Sequence, residues 1–99
     1  MYTQVSRYSF PHGAEEKGSE IYGKAKPLWS SQAGFHSMNR YRITEGAHKD
    51  QQMVVVRFND KASLDAARTN IGPQREHILE ALKTAGIKTE ETYLLDEIV

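Results

Sequence analysis

His77 is the residue of this 99-residue chain whose type and setting come nearest to those of a reagent. It sits beside Ile78, at the edge of an apolar stripe that the spacing of Ile78, Ala81, Leu82 and Ala85 marks on a helix. A neutral imidazole there can act as a general base, taking a proton from a phenolic substrate before oxygen attacks, or can ligate iron through one nitrogen. The same position equally suits a helix-flank histidine with one side in water. Tyr8, Phe10, Trp29, Tyr41 and Phe58 could line a flat aromatic-binding pocket between sheet and helices, or simply fill a core. Ser6 and Asn39 share strand faces with Tyr8 and Tyr41, so they would meet the same apolar layer. Polar groups so placed need partners, and a ligand or ordered water would serve.

Other chemistries find less support. His12, His36 and His48 fall in or near loops and strand starts, with no metal-ligand spacing, so no metal site is expected. Arg40, Arg42 and Arg57 on facing strands could hold a carboxylate, or form a solvated or interface-paired edge. No Gly-rich phosphate loop and no Ser-His-Asp arrangement is present. Thirteen Lys and Arg balance thirteen Asp and Glu, which argues against nucleic acid or an anionic membrane as partner. The absence of cysteine excludes disulfides, thiolate catalysis and cysteine-bound metal. No apolar run approaches the roughly 20 residues that span a bilayer. The amino terminus carries no secretory pattern, and a single cytoplasmic domain is expected.

The elements that must position these side chains centre on Met53-Val54-Val55-Val56-Arg57-Phe58, a β-branched run that reads as a central strand. Alternation sends Val54, Val56 and Phe58 to one face and Met53 and Val55 to the other. Residues 2–10 read as a first strand. A helix from about Ala14 carries Ile21, Tyr22, Ala25, Leu28 and Trp29, with Pro27 expected to kink or break it. Residues 35–44 and 52–59 read as an antiparallel hairpin. Asn59 or Asp60 can cap the next helix, Gly72-Pro73 interrupts it, Gly86 stops it, and residues 89–99 form a last strand. The order βαββαβ is the ferredoxin-like α+β plan, a four-stranded antiparallel sheet with its helices on one face. The other face, carrying Val5 and Val55, then needs a cover. A homodimer with the two sheets packed together is the simplest one.

Gly34-Phe35-His36-Ser37-Met38 and the run from Val54 through Phe58-Asn59-Asp60-Lys61-Ala62-Ser63-Leu64 resemble the antibiotic-biosynthesis monooxygenase (ABM) domain. That family shows Gly-Phe opening its second strand, and an aromatic residue closing its third before a small-polar, Ala-rich helix start. The resemblance implies a dimeric α+β barrel holding a small aromatic or quinol-type ligand. If the chain is an enzyme, the resemblance implies a cofactor-independent monooxygenase, with His77 as base and Ser6, Tyr8, Trp29, Asn39 and Phe58 around the substrate. Phe58 stands where the family usually has Trp, keeping the bulk and losing the indole donor. The heme-degrading branch is similar in using an Asn on the first strand, with a Trp and a His on the second helix. Here His77 matches, but Ser6 and Ala67 occupy the other two positions, so the residue that would distort a porphyrin is missing. Heme binding through His77 and a non-catalytic dimeric domain are the alternatives to an oxygenase.

Overall fold

In the computed structural model, which describes residues 1–99, the chain runs β1 (Tyr2–Ser9), α1 (Glu15–Ser30), β2 (Phe35–Arg42), β3 (Gln52–Phe58), α2 (Lys61–Asn70), α3 (Gly72–Thr84) and β4 (Lys88–Asp96). The strands lie in the order β2-β3-β1-β4, with every neighbouring pair antiparallel. This is the ferredoxin-like α+β arrangement that the order of elements implies.

Local chemistry explains where the helices begin and end. Asp60 adopts an extended backbone and its carboxylate accepts from the Ser63 N–H at 2.8 Å, capping α2. Pro73 occupies the first turn of α3, where its missing N–H has no intrahelical partner to lose. The end of α3 is closed by two backbone bonds, Gly86 N–H to the Lys83 carbonyl at 3.0 Å and Ile87 N–H to the Leu82 carbonyl at 2.9 Å. That closure puts Gly86 at φ 76°, a conformation glycine adopts without a Cβ penalty.

The break expected at Pro27 does not occur. α1 continues through it to Ser30, so the proline forfeits a single donor in the last turn. Its carbonyl still accepts from Ser31 N–H at 3.1 Å, and the residue four back is Gly23, which presents no side chain to its ring.

Val56 and Phe58 of β3 face the helices and join Trp29, Met38, Leu64 and Ile71 in the main core. Phe58 is fully buried and meets the edges of two rings, Trp29 at 6.0 Å and Phe35 at 5.8 Å between centroids. On the opposite face, strand pairing aligns Asn39, Val55, Val5 and Tyr93 in one row. Val5 and Val55 are each only 6% exposed within one chain, whereas Tyr41, Tyr93 and Leu95 remain about half exposed. What this face leaves uncovered is therefore its flanks more than its centre. No helix is long and apolar enough to cross a membrane.

Candidate functional site

Three rows of paired residues on the helix-facing side of the sheet carry the floor of the site, Leu94 and Arg42 at the row ends lying beyond the cavity walls. The rows are Met38–Val56–Gln4–Leu94, Arg40–Val54–Ser6–Thr92 and Arg42–Gln52–Tyr8–Thr89. Each row mixes apolar and polar groups, unlike the wholly apolar Val5 and Val55 centre of the other face. Above the floor, α1 contributes Ile21, Tyr22, Ala25, Leu28 and Trp29, and α3 contributes Arg75, Ile78, Leu79 and Leu82. Both sets follow helical spacing, so one stripe of each helix faces inward. The space between them is a cavity of about 360 Å³, within the range of small-molecule sites.

Of the residues singled out from sequence, Ser6, Tyr8, Phe10 and Trp29 line this cavity. Phe58 does not; it lies beneath in the core with Trp29 and Phe35. Asn39 and Tyr41 are exposed on the helix-free face. The cause is a bulge: Phe35 pairs with Phe58 but Ser37 with Arg57, so one extra residue reverses the alternation of β2. Met38 and Arg40 turn inward instead. His77 is exposed and is not among the cavity walls. One residue from Ile78 is a rotation of about 100° around the helix, enough to carry its imidazole off the inward stripe. No group of three or more His, Cys, Asp or Glu side chains gathers where it could hold a metal ion.

Gln4, Gln52, Arg40 and Arg75 complete the polar lining. Gln4 could have been found from its place on the Ser6–Tyr8 face, Gln52 from its parity with Val54, and Arg75 from its position three residues before Ile78. Gln4 and Gln52 are 7% and 3% exposed, and the Oε1 of each has no hydrogen-bond partner. Arg40 lies over the Tyr22 ring, 5.2 Å from its centroid, and donates through Nη2 to Ser19 Oγ at 2.8 Å. Its Nη1 is buried and unpaired. Ser6 and Thr92 satisfy each other, hydroxyl to hydroxyl at 3.1 Å. Burial pushes the Tyr8 phenol above its ordinary pKa of 10.0, while the Ser6 hydroxyl and the Arg75 cation pull weakly the other way. Tyr8 is therefore a neutral donor around pH 7. Burial likewise lowers the Arg75 guanidinium, as does the like charge of Arg68.

No family model matches the chain, and no curated protein matches it in sequence. Its fold does match solved structures along nearly its whole length. SnoaB, a cofactor-independent oxygenase from Streptomyces nogalater, superposes with a TM-score of 0.76 at 19% identity, over 99% of this chain and 93% of that one. A protein from Deinococcus radiodurans, provisionally named an antibiotic biosynthesis monooxygenase, superposes with a TM-score of 0.79 at 8% identity, over 100% of this chain and 94% of its own. One from Shewanella loihica PV-4, provisionally named a monooxygenase, gives 0.70 at 17% identity, over 99% and 94%. The fold of this chain is thus the one found in structures named as ABM-type oxygenases.

Proposed function

We propose that the chain is an ABM-type oxygenase that takes a small planar phenol or quinol into the cavity and oxidises it with dioxygen, using neither metal nor flavin. The observation that carries this reading is the cavity itself, with aromatic walls from Phe10, Tyr22 and Trp29 and unpartnered polar atoms on Gln4, Gln52 and Arg40. A buried acceptor left unmet costs about 1–3 kcal/mol, which a hydroxyl-bearing ligand would relieve. SnoaB, a cofactor-independent oxygenase, has the same fold, and by fold-level analogy this favours the same class of reaction.

In this reading Gln4 and Gln52 accept hydrogen bonds from substrate hydroxyls and fix the plane of the ring. Arg40 and Arg75 favour the ionised, electron-rich form of the phenol by charge. Such an anion can pass electrons to dioxygen directly. For a phenol oxidised at a ring C–H, one oxygen atom becomes the new quinone carbonyl and the other leaves as water with the two displaced hydrogens. Trp29 and Phe10 keep bulk water from the reacting ring. His77 takes no part, because its imidazole lies outside. The assembly proposed with this activity is a homodimer joined through the helix-free sheet faces.

Oxygen uptake with a panel of reduced quinols and polycyclic phenols, with and without a carboxylate or acidic hydroxyl, tests the proposal. Saturable uptake with formation of the quinone is expected, together with a clear loss in Gln4→Leu, which removes an unmet acceptor without breaking any existing hydrogen bond. Uptake no faster than in buffer across the panel would overturn it, as would full activity in that variant.

A further inference from the structure

The walls of the cavity carry two arginines and no Asp, Glu or His. This imbalance is local, since the whole chain has equal numbers of acidic and basic side chains. Neither cation forms an ion pair within its own chain, although the charge of Arg40 reaches the Glu15 carboxylate and helps to lower its pKa. Arg75 makes no hydrogen bond or ion pair with any side chain, and the charged neighbour that acts on it is Arg68, of the same sign. Its other titratable neighbour, Tyr8, is an uncharged phenol near pH 7, and burial raises its pKa further. Arg40 spends one side of its guanidinium on a serine hydroxyl and leaves buried Nη1 without a partner. The contrast lies just outside. Arg42, on the same face of β2 but beyond the cavity walls, is paired with Glu15, and Arg7 on the other face is paired with Glu91. Arg42 and Arg7 thus have carboxylate partners and the two arginines of the cavity have none, Arg57 on the helix-free face being the one other sheet arginine without a partner.

A second observation points the same way. Oxidation of a phenol by dioxygen starts from the anion, yet no lining side chain can serve as a base near pH 7: Tyr8 is a neutral donor and the two guanidiniums are fully protonated. The charge has to enter with the ligand. We infer that the cavity selects anions, namely planar aromatic molecules bearing a carboxylate or an acidic hydroxyl already ionised at neutral pH, with that group paired to Arg75. This names the substrate class of the site proposed above and rests on that assignment. Guanidinium–carboxylate pairing in a partly desolvated space is directional and strong, so the preference is built into affinity as well as reactivity.

Calorimetric titration with a matched pair of ligands, naphthol (uncharged) and hydroxynaphthoate (anionic), separates the two ideas. The anion is expected to bind about tenfold or more tightly than the neutral ring. Arg75→Gln should abolish that preference by weakening the anion about tenfold or more relative to naphthol, and Arg75→Lys should retain part of it, since the charge stays and only the fork geometry is lost. Thermal unfolding of both variants shows whether they are folded at the temperature of titration. If the two ligands bind equally, or if the preference survives in folded Arg75→Gln, the anion selectivity is wrong and the aromatic site stands. If neither ligand binds the wild-type protein, the aromatic site itself falls and the selectivity with it.

Discussion

Gln52 Nε2 donates to both carboxylate oxygens of Glu15, at 3.0 and 2.9 Å, and this contact decides which way the Gln52 amide lies. A carboxylate can only accept, so the NH₂ end must face Glu15 and the carbonyl end must face away from it. Gln52 lines the cavity, and that carbonyl oxygen is one of its unpartnered acceptors. Glu15 opens α1 and is held in turn by Arg42 of β2, so a residue outside the cavity orients one within it.

The orientation should be sensitive to acid. Hydrogen bonding from Gln52, with a further contribution from Arg42, holds the Glu15 carboxyl below its ordinary pKa of 4.5. A depressed carboxylate contributes stability above its unfolded value and loses it as pH falls through the folded one. Between those limits, wild type should lose stability with falling pH more steeply than Glu15→Gln, whose amide oxygen still accepts from Gln52 but does not titrate. Urea unfolding at a series of pH values from 6 down to roughly 3 reads the difference. Equal slopes for the two proteins would show that Glu15 is not held in this way.

Gly34 should tolerate no side chain. Its φ is 81°, and a Cβ there would stand 2.5 Å from Ser63 Oγ and 2.6 Å from Ser63 Cβ. The glycine is thereby fixed by backbone conformation and by contact with the first turn of α2, while its carbonyl accepts from Asn59 N–H at 2.9 Å. Left-handed backbone costs a non-glycine residue about 1–2 kcal/mol, and overpacking commonly adds about 1–3. Gly34→Ala is expected to lower stability by roughly 2 kcal/mol or more, measured by chemical denaturation. Adding Ser63→Gly should recover the overpacking part and leave the backbone strain. No recovery would mean the contact with Ser63 is slack.

His77→Ala is expected to change neither ligand affinity nor oxygen uptake, because the imidazole is exposed on α3 outside the cavity walls. Its midpoint of unfolding should also stay near that of wild type, as for surface substitutions generally. A loss of turnover of tenfold or more would return this histidine to the site and require α3 to rotate when ligand binds.

The fold was legible wherever one strong local signal acted alone. The run Met53–Phe58 could alternate in only one way, and Asp60, Gly72-Pro73 and Gly86 mark helix boundaries by chemistry that tertiary packing did not contest. Pro27 misled because its cost depends on distance from the helix end, which sequence bounds poorly. The site was half legible for a similar reason. Ser6, Tyr8 and Trp29 follow from plain periodicity, but Asn39 was lost to a bulge that leaves no mark on composition. His77 drew attention by its type, and Arg75 escaped it because a lone helical arginine is ordinarily solvated. What revealed Arg75 is the lack of any acid beside it, a property of assembled walls and of no single segment.

The helix-free face supplies the last test. Tyr93 and Leu95 of β4 and Tyr41 of β2 stay half exposed at the two flanks of a sheet whose centre, Val5 and Val55, is already covered. A second sheet laid on this face would bury all three, and burying a large apolar side chain contributes about 1.5–3 kcal/mol. Leu95→Glu would place a charge in that contact on each protomer, with the cross-strand neighbour Thr3 unable to neutralise it. Wild type is expected to sediment at twice the chain mass of 11.2 kDa at micromolar concentration, and Leu95→Glu at the chain mass with its helices and sheet intact by circular dichroism. A wild-type protein that stays at 11.2 kDa would overturn the dimer while leaving the cavity, which one chain forms by itself, untouched.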